Sequence, residues 1–223
     1  MSIKPYVAGE YEFDAQHGLP EALPAGERLL WQGTPDTATL ARRVFHVNKV
    51  AVYFVLLLAW SVASALHDGA RLAEAGKPLL WLVPAFALCL GILWLMARWT
   101  ARTTVYTLTD RRIVMRIGIV LTVAYNLPLK RIESADLLDL GHGIADIVLT
   151  LEPDTRIAWL HLWPHVRPWR VARTQPMLRG LRDGADVSAL LARAWSEANG
   201  VPATPAPAPR GAGVRPVLVP HAG

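Results

Sequence analysis

Two long apolar runs constrain this chain more than any other feature. Residues 50–66 carry no charged side chain across 17 positions, and residues 78–97 carry none across 20. At a helical rise of 1.5 Å per residue, these runs measure about 26 and about 30 Å, close to a hydrocarbon core of about 30 Å. Neither has charged residues at the i+3 or i+4 spacing that gives a soluble helix its wet face. A secretory signal is not the expectation for the first run, which begins at Val50 and lacks the short basic segment such signals need. With 52% hydrophobic and 18% charged residues the chain is also too apolar for a disordered scaffold. The expectation is therefore a pair of transmembrane helices.

Only 11 residues, 67–77, join the runs, so they are expected to form an antiparallel hairpin. Arg42, Arg43, Lys49, Arg98 and Arg102 flank it outside, against Arg71 and Lys77 in the connection, which puts both termini in the cytoplasm of a multi-pass inner-membrane protein. The same distribution accounts for the net charge of +5 without nucleic acid, since the basic residues form no single stripe. Trp81, Trp94 and Trp99 suit the membrane interface, and Ala59 with Ala63 and Ala87 with Gly91 would let the helices approach closely. Pro84 is expected to kink the second helix or loosen its first turns. The lone cysteine, Cys89, lies within the second run and is expected to be a small buried residue. Neither run holds an Asp, Glu, Lys, Arg or His, which argues against a transporter or pump.

After Arg102 the pattern changes to short stretches rich in Val, Ile, Thr and Tyr, separated by turn residues, which reads as consecutive antiparallel strands. Strands are expected at 103–108, 112–117, 121–128, 132–138, 144–151 and 156–162. Residues 186–198 place Val187, Leu190, Leu191, Ala194 and Trp195 on one helical stripe, with Asp186 in the first turn and Gly200 as the stop. Residues 199–223 are rich in Pro, Ala and Gly without periodicity and are expected to be a disordered tail. Upstream, residues 1–36 read as an extended segment in which 27–32 could add a strand to the β domain. Residues 37–48 read as an amphipathic helix entering the membrane.

Two spans followed by the stretch YTLTDRRI at residues 106–113 resemble the bacterial pleckstrin-homology-like membrane proteins. Residues 11–33, 45–54 and 163–181 further resemble the PuhB family of photosynthetic complex assembly proteins of purple bacteria. The resemblance implies an α+β membrane protein, with a two-helix transmembrane hairpin followed by a PH-like curled antiparallel β-sheet capped by a C-terminal helix. Its domains would be an N-terminal segment (1–36), a membrane region (37–99), a PH-like domain (103–198) and the tail (199–223). It also implies a noncatalytic factor for assembling the reaction centre and core light-harvesting complex, through contact with nascent subunits or bacteriochlorophyll.

The densest aromatic and basic segment outside the spans is WLHLWPHVRPWRVAR at residues 159–173. Trp163, His165, Arg167, Trp169, Arg170 and Arg173 are the candidate contact residues, suited either to lipid headgroups or to a protein partner with exposed carboxylates. Against this stands the reading that Trp159 and Trp163 are core residues under the final helix. His46 and His161 are the candidates for contact with a pigment. His161 and His165 lack a third metal ligand nearby, so no metal site is expected. No phosphate-binding glycine loop, nucleophile elbow or paired cysteine points to an enzyme. Three readings stay open: an assembly factor, a general membrane adaptor binding anionic lipid or protein, and a bacteriochlorophyll carrier. No cofactor is required by the first two, and self-association is compatible with all three.

Overall fold

The computed structural model describes residues 6–7, 19, 23–118, 122–155, 157–201 and 214–218. The chain divides into two compact units, residues 37–99 and residues 1–36 with 100–223. Leu121, Arg156, most of residues 1–22 and most of the expected tail lie outside the described residues.

The first unit is helical. Helix α1 (Thr37–Arg43) is followed by α2 (Val47–His67), the short α3 (Leu72–Ala75) and α4 (Leu79–Thr103), whose last residues belong to the second unit. The two long apolar helices extend beyond the uncharged runs to take in Lys49, Arg98 and Arg102, which are good helix formers. Both are long and apolar enough to cross a membrane. Not one residue of α2 is buried, and Val55, Leu56 and Trp60 stand largely exposed. Phe54 of α2 stacks face to face on Phe86 of α4 with ring centroids 4.1 Å apart. Pro84 lies inside α4, within unbroken helix. The single amphipathic helix expected at 37–48 is instead broken before α2, where His46 takes a left-handed conformation (φ 53°).

The second unit contains two antiparallel sheets. The first comprises β1 (Tyr6–Val7), β2 (Leu29–Gly33), β3 (Val105–Thr109), β4 (Arg112–Ile117) and β5 (Val123–Pro128), in the order β1-β5-β4-β3-β2. The second comprises β6 (Ile132–Gly141), β7 (Ile144–Leu151), β8 (Met177–Arg182) and β9 (Val214–Leu218), in the order β8-β7-β6-β9. Two further helices are the single turn α5 (Trp159–Leu162) and α6 (Gly184–Asn199). Tyr106, Ile113, Met115 and Leu127 from one sheet share a core with Ile147, Leu149 and Leu181 from the other. Val187, Leu191 and Ala194 bring the apolar stripe of α6 onto it, and the Trp195 indole N–H donates to the Ile132 carbonyl at 2.9 Å. Gly200 ends α6 at φ 66°, a left-handed position where a Cβ is unfavourable.

β2 precedes the apolar helices and β3 follows them, yet the two pair antiparallel, with Gln32 opposite Thr107. Beside this pairing, the buried Glu27 carboxylate accepts hydrogen bonds from Thr109 Oγ1 at 2.7 Å and from Arg112 Nε at 2.8 Å. The extra strand expected within 27–32 is thus an edge of the first sheet.

Two expectations about the strands of the second unit differ from the structure. Residues 157–162 form no strand: Pro164 and the turn α5 divert the chain, and the partner of β7 is β8, further along. β8 escapes a hydrophobicity pattern because Arg179 and Gly180 stand in its middle, both buried. The expected disordered tail contains β9, which pairs with β6; its Pro216 is accommodated because β9 is an edge strand.

Replacing Glu27→Ala removes the carboxylate that accepts from Thr109 and Arg112, leaving the Arg112 carbonyl at 3.1 Å for Thr109 Oγ1 and Asn126 Oδ1 at 3.4 Å for the Arg112 guanidinium. Since Arg112 is a quarter exposed and can rehydrate, the expected cost is about 1–3 kcal/mol. Denaturant unfolding of the detergent-solubilised chain checks this, and an unchanged midpoint would show that the carboxylate does not hold β2 in place.

Candidate functional site

The segment between β7 and β8 is a finger with a buried root and a bare tip. Its root is a short antiparallel ladder in which Val166 bridges Pro176, the Arg167 N–H donates to the Gln175 carbonyl at 3.0 Å, and the Met177 N–H donates to the His165 carbonyl at 2.9 Å. Side chains reinforce it. The Arg167 guanidinium donates to Gln175 Oε1 at 3.2 Å, and the Gln175 amide donates to Thr150 Oγ1 on β7 at 3.0 Å. The Trp159 indole, partly buried against the core, donates to the Arg167 carbonyl at 3.3 Å and ties α5 to the finger.

His165 is fully buried and anchors this root. Its Nδ1 lies 2.6 Å from the Tyr106 hydroxyl on β3, and its Nε2 lies 3.1 Å from Thr104 Oγ1. Because the Tyr106 oxygen already accepts the Arg179 N–H at 3.2 Å, its own proton is directed to Nδ1, leaving Nε2–H to donate to Thr104. Burial pushes the imidazole down from 6.5 to about 3, and the positive charge of Arg179 adds to the shift. Burial also raises the Tyr106 phenol above its ordinary value. The Arg179 guanidinium donates to the Val166 carbonyl at 2.8 Å; burial lowers its affinity for the proton while the charge of Asp146 opposes that effect. Asp146 itself accepts the Gly180 N–H at 2.7 Å.

This corrects one expectation: His165 cannot touch a partner or a membrane, because both ring nitrogens are spent inside the core. Sequence reasoning grouped it with its exposed neighbours by composition, and missed Thr104, Tyr106, Asp146 and Arg179 altogether. An arginine inside an otherwise apolar strand was the available signal, since a buried cation requires partners.

The remaining candidates separate by exposure. Trp169 is 96% exposed, at φ 64° between Pro168 and Arg170; Val171 and Arg170 are exposed beside it. Arg170 pairs with no carboxylate among the described residues. Arg173 is exposed and donates to Glu133 on β6 at 2.8 Å, whereas Arg167 is half-buried in the root. On and just after α5, Leu160 and Trp163 are exposed, so Trp163 is no core residue. Behind the tip, Val171, Ala172 and Arg173 face Pro153, Ile157 and Ala158 across a cleft of about 640 Å³. The two pigment candidates, His46 and His161, are exposed and belong to different units. No cluster of His, Cys, Asp and Glu suited to a metal occurs among the described residues. The arrangement offers an apolar and cationic contact surface on a rigid base.

Comparison with known proteins agrees with this architecture. A family model described as bacterial PH domain matches residues 44–194. This chain therefore belongs to the bacterial PH domain family. It is also 36% identical over 187 residues to a protein of Rhodobacter capsulatus described as an uncharacterized 23.7 kDa protein in the puhA 5' region, covering 83% of this chain and 87% of that one. No solved structure matches.

The buried imidazole predicts a pH dependence. The unfolded chain takes up a proton on His165 near its ordinary value while the folded chain does not, so the contribution of this group to stability is fully present above about pH 6.5 and is lost as pH falls towards about 3. His165→Gln should flatten the fall in unfolding midpoint across that window; an equally steep fall in both proteins would contradict the buried neutral imidazole.

Proposed function

We propose that this protein is a noncatalytic, membrane-anchored assembly factor for the photosynthetic reaction centre and its core light-harvesting complex. The observation that carries the reading is the relative in the puhA 5' region, alike over most of both chains. The PuhB-like stretches at residues 11–33, 45–54 and 163–181 support it, and the last includes the exposed finger.

In this reading α2 and α4 span the inner membrane with both chain termini on the cytoplasmic side. Their exposed apolar surface supports that assignment, since it is covered at no cost by lipid and is an aggregation hazard in water. The second unit works by docking to nascent reaction-centre or light-harvesting subunits, and Leu160, Trp163 and the finger supply amphipathic rings and cations for the contact. Tethering raises the effective concentration of this surface near membrane-bound clients, so a weak contact suffices. No reaction and no bound cofactor are required, and the protein acts by holding partners together.

Deleting the gene is expected to lower the amount of assembled reaction centre while pigment synthesis continues. Membrane absorbance spectra and complex yields from native gels measure both. Unchanged complex yield would reject the assembly role, and loss of pigment itself would point instead to pigment handling.

A further inference from the structure

The finger between β7 and β8 has a root and a tip of opposite character. Its root is fixed by the buried His165 and by hydrogen bonds through Arg167, Gln175 and Arg179. Its tip presents Trp169, Arg170 and Val171 to solvent. Holding a bare indole and a bare isopropyl group in water gains nothing for the fold, whereas tryptophan is favoured at the polar boundary of a bilayer.

We propose that Trp169, Arg170 and Val171 form a membrane-interface finger that seats in the headgroup layer of anionic lipid. The charge is complementary at the tip itself: Arg170 is exposed with no carboxylate partner among the described residues, whereas Arg173 is paired with Glu133 and Arg167 is held in the root. From Pro168 to Arg173 the tip's polar side-chain groups are all hydrogen-bond donors, with no side-chain acceptor, which suits a layer of phosphate oxygens. Lipid phosphate needs only positive charge, and the interface needs only an amphipathic ring. The inference rests on the reading that α2 and α4 span the membrane, because a tethered finger meets the bilayer surface at high effective concentration whether or not a client is present. It narrows the docking surface: the tip belongs to lipid, while Leu160 and Trp163 are left for a protein partner.

The test uses the full chain with Cys89→Ala and Val171→Cys, labelled at residue 171 with an environment-sensitive fluorophore. The protein is reconstituted into vesicles of phosphatidylcholine alone or of an equal mixture with phosphatidylglycerol. In the anionic vesicles the emission should shift to the blue, be quenched by spin-labelled lipid and be shielded from iodide. Arg170→Ala should lower the ratio of lipid-seated to water-exposed label about fivefold at low salt. Trp169→Ala should lower it as well, and so should salt near 1 M, where the screening length is about 3 Å.

Equal iodide quenching in both kinds of vesicle would overturn the finger. A label that stays in water in pure lipid but becomes shielded in native membranes would overturn it too, assigning the tip to a protein. Alkaline carbonate extraction of native membranes separates the two readings. A chain that resists extraction while its tip remains in water refutes only the finger; a chain that is released refutes the membrane anchor and the finger with it.

Discussion

The second unit depends on a pairing between strands that the apolar helices separate in sequence. β2 lies before them and β3 after them, and the buried Glu27 meets Thr109, 82 residues further along the chain. A carboxylate removed from water at that point is tolerable only because Thr109 and Arg112 both donate to it. With that edge in place, β3 is an interior strand and Tyr106 can be fully buried. The entropic cost of closing so long a connection grows only slowly with its length, so an insertion of two long helices does not forbid the pairing.

Burial of Tyr106 in turn supports the finger. Its hydroxyl joins the first sheet, through His165, to the segment leading into β8, and accepts from the Arg179 backbone on β8 itself. Low polarity strengthens such hydrogen bonds and makes an unmet group costly, so the network favours one arrangement of the finger's root. An exposed tip on a fixed root loses little conformational freedom when it binds, which suits a contact surface better than a floppy loop of the same composition. Structure and recognition meet here, because the polar residues that specify the core also present the apolar residues that remain outside it.

Membership of the bacterial PH domain family accounts for the two sheets and the closing helix, but a shared fold does not by itself supply a function. Function is carried by the exposed features: two helices with uncovered apolar surface, which the family match at residues 44–194 takes in, and a cationic aromatic finger.

The sequence determined the elements whose signal is local. The uncharged runs located α2 and α4, β4 and β7 match their expected bounds, and the stripe from Val187 to Trp195 with Gly200 marked α6. Local periodicity carries such information because each residue's preference reflects which face is buried. Only the tertiary structure decided the rest. β8 is hidden in the sequence because the buried Arg179 guanidinium relies on the Val166 carbonyl and the charge of Asp146, which lie elsewhere in the chain. His165 and Trp169 are four residues apart and similar in composition-based reasoning, yet one is fully buried and the other 96% exposed. Partners distant in sequence made that difference, since both ring nitrogens of His165 are satisfied by residues near the start of β3, whereas Trp169 stands at a tip beyond the root's last rung.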